Sequence, residues 1–317
     1  MQTGSAKSFF ARNINVIMFI TLSLSWGFSW FCGKYQVNNI IYPEIAGMYR
    51  FILAALILLA IYVPLKRPRL IPNLSELKIV AVYSVFSFCM NFIIFYYAIF
   101  KMVTGFNAIM FSFSIVFSHI IGKFVFKIDK KFDWRFYTSL IIGISGLFLV
   151  LLPKFTNLKV SIDLFIGLFL CVLATMSFSF GSTFYESKSA AVKADPIVVF
   201  IWCLIGGAFY ALCFGFLHSI FAGQPLVLLA NFTPQFVLSL LYLAGPATAL
   251  GYLCCMLLIK NIGSVKTNYT SLVSPTIAML VTSVFEDYKF TMATFIGILL
   301  ISLSKVVMFY RQGNGKK

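Results

Sequence analysis

Charged residues are scarce in this 317-residue chain, 11% of it, and acidic ones scarcer still: nine Asp and Glu against 25 Lys and Arg. Soluble domains carry about a quarter charged residues, so an ordinary cytosolic enzyme is excluded. Histidine occurs only at His119 and His218. HExxH, CxxC, GxSxG and phosphate-loop patterns are all missing, which leaves metal, nucleotide and serine-hydrolase chemistry without support. The expectation is therefore no enzyme, no catalytic residue, no metal and no cofactor. Paired cysteine spacing is missing too. Cys32, Cys89, Cys171, Cys203, Cys213, Cys254 and Cys255 all lie inside apolar runs and read as buried thiols.

What the chain has instead is apolar length: 61% of its residues are hydrophobic. A segment crossing a ~30 Å hydrocarbon core needs ~20 mostly apolar residues. Such runs fall at 15–33, 43–63, 79–99, 103–125, 136–152, 163–184, 197–220, 235–257, 264–284 and 291–310. The first follows Lys7 and Arg12 but is too long for a signal-peptide core and lacks a small-residue cleavage site. It reads as a retained helix. An all-α integral membrane protein of ten transmembrane helices is expected.

The net charge of +16 superficially suggests a nucleic-acid partner. The Lys and Arg sit in the connectors, however, and the positive-inside rule accounts for them without nucleic acid. With the N-terminus inside, nineteen fall on the cytoplasmic side and five outside, at Lys34, Lys101, Lys154, Lys159 and Lys289. Both termini are thus expected in the cytoplasm, which needs an even number of spans. The expected location is a cell membrane, a bacterial inner membrane, with the protein a monomer in the bilayer.

The two halves are related. Ile99 to Gly105 leads into the fourth run much as Ile259 to Ser264 leads into the ninth. Gly143-Ile144-Ser145-Gly146 in the fifth run answers Gly297-Ile298 in the tenth. The expected organisation is a tail at 1–14, a five-helix repeat at 15–155, a second at 156–310 and a tail at 311–317. Five is odd, so tandem repeats must lie antiparallel. Inverted repeats are the common architecture of secondary transporters, with the substrate site between them near the midplane.

The ordered set of Trp26-Gly27-Phe28-Ser29-Trp30, Pro43 with Arg50-Phe51, Asn91 with Phe95-Tyr96-Tyr97-Ala98, Thr248 to Tyr252, Gly263-Ser264, Pro275, Glu286 and Gly297 resembles the drug/metabolite transporter superfamily. The likeness is to its EamA-type ten-helix members and covers nearly the whole chain. It implies export or exchange of a small polar metabolite, often an amino acid, without fixing which. One departure stands out. The family's fourth helix usually carries a proline where this chain has Ser114-Ile115-Val116, whereas the second half keeps Pro275. A fourth helix straighter than the ninth is expected.

Polar residues inside membrane helices cost ~2.5–3.5 kcal/mol at the centre when charged, and they usually face the protein interior. Arg50 is the clearest case. It reads either as a structural lock on neighbouring carbonyls or as a contact for a carboxylate or phosphate. Trp26 and Trp30, one turn apart, suit a cavity wall or close packing. Asn91, Asn107, Tyr252, Asn268, Tyr269 and Ser271 complete the candidate cavity, with interhelical hydrogen bonding as the plainer reading of each. Gly105, Gly263 and Pro275 are candidate hinge or packing residues. No acidic residue lies deep in a run, which favours uniport or exchange over proton coupling.

The primary reading is an alternating-access transporter whose cavity is walled by helices 1, 3, 4, 6, 8 and 9. A transporter or flippase of a lipid or lipid-linked sugar is the alternative. An intramembrane enzyme or photoreceptor is more remote, since Lys305 has no buried acidic counterion in sequence.

Overall fold

The computed structural model describes residues 2–40, 42–66, 68–128, 134–156, 162–228, 232–267, 270–286 and 291–309. All regular structure among the described residues is helical. The helices are α1 Gln2–Val37, α2 Pro43–Lys66, α3 Leu74–Ile99, α4 Thr104–Phe124, α5 Trp134–Thr156, α6 Ile162–Lys188, α7 Pro196–Ala222, α8 Pro234–Ile262, α9 Thr270–Phe285 and α10 Met292–Phe309. The first eight are long and apolar enough to cross a membrane, α1 through its part Ile14–Val37. Within the described residues the apolar parts of α9 and α10 are shorter, Val273–Phe285 and Met292–Ser304.

Local chemistry sets several helix ends. The Asp195 side chain accepts from Ile197 N at the start of α7, with Pro196 in the first turn, and Gly223 closes the helix at φ 63°. Thr233 and Pro234 open α8 in the same way. Glu76 completes a capping box with Asn73 at the start of α3. Its other oxygen accepts from Lys193 N and Ala194 N at 2.8 and 2.7 Å. One carboxylate thus fastens α3 to the connector between α6 and α7.

Side chains are distributed as a bilayer requires. Large apolar residues such as Ile141, Phe148, Phe169, Phe209, Phe216 and Leu299 are exposed, while Ser84, Ser114, Thr175, Thr183 and Thr248 are fully buried. Small hydroxyl residues let helices approach where lipid gives no hydrophobic drive.

The packing repeats itself. α5 packs on α10, α2 on α7 and α4 on α9; α1 packs on α8 and α9, and α6 on α3 and α4. Moving every helix five places along the chain maps this set onto itself, as two related halves facing one another would. Glycines let α5 and α10 cross with their backbones close together. A Cβ on Gly146 would stand 2.7 Å from the Gly297 carbonyl oxygen, and one on Gly297 would stand 2.6 Å from that of Gly146.

Two features depart from simple helices. α3 and α8 carry π-helical stretches at matching places, Ser84–Met90 and Leu243–Leu250, the second around Pro246. α4 is the other departure, and it corrects the expectation of a straight fourth helix. It breaks at Ser112-Phe113, where Ser112 N and Phe113 N bond three residues back, to Ile109 O and Met110 O. The Ser112 hydroxyl donates to Ala108 O at 3.4 Å, a back-bond that bends helices. α9, by contrast, runs unbroken through Pro275.

Candidate functional site

A cavity of about 40 Å³ lies at the centre of the bundle, between α1, α2, α3, α4 and α8. α1 supplies Trp26, Ser29, Trp30 and Gly33, spaced three and four apart so that they share one face. α3 supplies Asn91, Phe92, Phe95, Tyr96 and Ile99, which follow directly on its π-helical stretch. Tyr252 stands just beyond the π-helical stretch of α8. π-turns shift the helix face by a fraction of a turn and recur at functional sites. Here both come immediately before cavity-lining residues. Arg50 of α2 and Phe111 of α4 complete the wall.

Aromatic rings form most of that wall. Trp26 lies 4.8 Å from Tyr252 and donates its indole N–H to Ala247 O at 3.3 Å. Trp30 meets Phe95 edge-on at 4.8 Å and Phe111 at 5.8 Å. Arg50 is buried, 3% exposed. Its Nε donates to Thr248 Oγ1 at 2.6 Å, and its guanidinium carbon sits 4.3 Å from the Phe92 ring centre. Among the described residues no carboxylate comes within ion-pairing distance of it. Asn91 donates from Nδ2 to Ser87 O at 3.3 Å, while its Oδ1 is buried without a partner. The Trp30 Nε1 is likewise buried and unpartnered. Beside the cavity, Tyr96 donates to Gln36 Oε1 at 2.8 Å, and Gln36 Nε2 donates to Ala46 O at 3.0 Å.

Of the residues singled out from sequence, Trp26, Trp30, Arg50, Asn91 and Tyr252 come together here. Asn107 does not: it is fully buried against α6, where its Oδ1 accepts from the Cys171 thiol at 3.0 Å. Asn268 and Tyr269 lie outside the described residues, and so does the side chain of Ser271. α2 joins the wall, whereas α6 and α9 contribute none of its described residues; Phe178 of α6 stands behind Trp26 and Phe111. Gly105 lies at the α4–α9 contact, where a Cβ would collide with the Met279 sulfur. Gly263 ends α8 at φ 86°, a conformation that only glycine adopts without strain. Sequence reasoning missed Ser29, Gly33, Phe92, Phe95, Tyr96, Ile99 and Phe111. The shared spacing 26, 29, 30, 33 on α1 and 92, 95, 96, 99 on α3 was the available signal.

Carboxylates lie toward the helix ends, yet among the described residues Glu76 at the start of α3, Glu44 and the Glu286 side chain are well buried. Glu286 pairs with Lys34 at 3.1 Å and accepts from Thr104 N and Oγ1, both at 3.1 Å. Glu44 turns away from Arg50: it accepts from Tyr97 at 2.9 Å and pairs with His218 at 3.3 Å. Glu186 accepts from the Ser264 hydroxyl at the head of the short helix preceding α9.

Together these features define a multi-pass helical membrane protein of two related halves around a small central cavity. The model of the EamA-like transporter family matches residues 13–152 and again residues 165–310. The chain belongs to that family and is a membrane transporter of the drug/metabolite transporter type. A solved structure, titled only as a crystal structure of a protein, shares the fold with a TM-score of 0.66 at 15% identity, over 93% of this chain and 96% of that one. None of the curated proteins matches it.

Proposed function

We propose that this protein moves a small polar metabolite, an amino acid or a related compound, by alternating access through the central cavity. The observation that carries this reading is the cavity itself, with one buried cation and two unpartnered polar atoms inside a bundle whose outer surface is apolar. Ligand sites in proteins commonly measure 300–1,000 Å³, so at about 40 Å³ this cavity is nearly shut. Substrate entry requires the helices around it to part. The matched packing of the two halves supports a rocking of one set of helices against the other. In this reading α9 and α10 also span, giving ten spans in inverted repeats with both termini cytoplasmic. The protein sits as a monomer in a bacterial inner membrane, running as an exchanger or facilitator without a resident cofactor.

Reconstitution into liposomes with a panel of labelled amino acids and related metabolites tests this. Saturable flux without an imposed ion gradient is the expected result. Strict dependence on a pH gradient would overturn the uncoupled mode, and Glu44 with His218 would then be the first residues to examine. One observation favours a lipid substrate instead. An apolar groove of about 270 Å³, lined by Ile52, Leu56, Ile205 and Phe209 among others, opens between α2 and α7. Flux confined to lipid-linked compounds would transfer the function to that groove.

A further inference from the structure

We infer that the cavity selects a small monoanionic acid bearing a hydroxyl beside its acid group, with Arg50 as the residue that takes the acid. This rests on the cavity being the transport site, and it narrows the proposed metabolite from amino acids to the related hydroxy acids. Arg50 carries a cationic guanidinium, and it is 3% exposed. Its hydrogen bond to Thr248 and its place over Phe92 are contacts with neutral groups. Glu44, six residues earlier on the same helix, is engaged by Tyr97 and His218 instead. A buried cation without a counter-charge is strongly disfavoured, and a bound anion removes that penalty.

The two orphan atoms narrow the ligand. The indole N–H of Trp30 can only donate, and the Oδ1 of Asn91 can only accept. Asn91 is 2% exposed, so its Oδ1 becomes reachable when the helices around the cavity part. A fitting ligand therefore presents acceptor oxygens to Arg50 and Trp30 and a donor to Asn91. A carboxylate with an adjacent hydroxyl provides both. An α-amino acid provides both too, but as a zwitterion it leaves the Arg50 charge unbalanced. Among the described residues no Asp or Glu lines the cavity to offset its ammonium. An amine without a carboxylate would add a second cation. The aromatic rings of Trp30, Phe95 and Phe111 hold the carbon chain, and the small volume restricts it to a few carbons.

The test compares lactate, propanoate, alanine and ethylamine in proteoliposomes, as counterflow by native protein, Arg50→Gln, Arg50→Lys and Trp30→Phe. Lactate should exceed propanoate and alanine by about tenfold, with ethylamine unmoved. Loss of a hydrogen bond to a charged group corresponds to a drop of about 10- to 100-fold. Arg50→Gln should lose lactate flux by that factor, and Arg50→Lys should recover part of it. Trp30→Phe keeps a six-membered aromatic ring and removes the N–H with the rest of the indole, so it should lower lactate flux even if Arg50→Gln fails to fold. Alanine or ethylamine moving as fast as lactate overturns the inference while leaving transport standing. Folded Arg50→Gln with native lactate flux does the same. Silence across these four compounds overturns the inference, and silence across the wider metabolite panel as well overturns the transport reading.

Discussion

Arg50 is held by a residue of the other half of the chain, since Thr248 belongs to α8. That contact makes a local prediction. Thr248→Val keeps the shape and removes the acceptor, leaving a charged donor buried. The cost of such an orphan is about 1–3 kcal/mol, so the variant should melt earlier in detergent, and Thr248→Ser should restore the native melt. An unchanged Thr248→Val melt would mean that Arg50 finds its stabilisation elsewhere. Residues of this kind are legible in sequence because they interrupt apolar runs: Arg50, Asn91 and the two tryptophans stand out against their neighbours. Phe95 and Phe111 do not, hidden among 37 phenylalanines that also serve lipid contact. Asn107 shows the limit in the other direction. It lies one turn from Phe111, which faces the cavity, yet it meets Cys171 of α6 instead. Polarity marks a residue as inward-facing without saying which neighbour it faces.

Helix existence follows from apolar length, and the runs read from sequence coincide with α1 to α8 to within a few residues at most ends. Interruptions inside helices were harder to read. The π-helical stretch in α8 holds Pro246, but its counterpart in α3 holds neither proline nor glycine. The break in α4 falls at Ser112-Phe113, just before the stretch Ser114-Ile115-Val116 that lacks the expected proline, and serine back-bonding accompanies it. Close helix crossings were better marked, through the glycines paired between the halves. Gly146 and Gly297 each lie against the other's carbonyl oxygen, so even a methyl group must push α5 and α10 apart. Overpacking of this kind costs about 1–3 kcal/mol. Gly146→Ala should therefore lower thermal stability, and adding Gly297→Ala should fall short of doubling the loss, because once the helices separate the second methyl meets less resistance. Additive losses would show that the two sites are independent.

At the scale of the whole molecule, the polar contacts near the helix ends sit where a transporter must open and close. Lys34 at the end of α1 pairs with Glu286 just beyond α9, and Glu286 also holds Thr104 at the start of α4. At the end of α6, Glu186 holds Ser264 ahead of α9. Under the five-place shift α1 becomes α6 and the start of α4 becomes the start of α9, so the two clusters occupy equivalent places in the two halves. The Lys34 side chain is 42% exposed while that of Glu286 is 2% exposed, so the contact joins a cation open to water to a buried carboxylate. Among the described residues, breaking it leaves that carboxylate on Thr104 alone, which favours a movement of the helix ends that lets water reach it. Lys34→Ala should then loosen that end of the cavity, with Thr104 left to hold Glu286. Cys32 reports on this, being a partly buried thiol two residues from Lys34 and next to cavity-lining Gly33. Its labelling by a membrane-impermeant maleimide, located by peptide mapping, should be faster in Lys34→Ala than in native protein, and substrate that closes the cavity should slow it again. Equal labelling rates in the two proteins would show that some other contact holds that end shut.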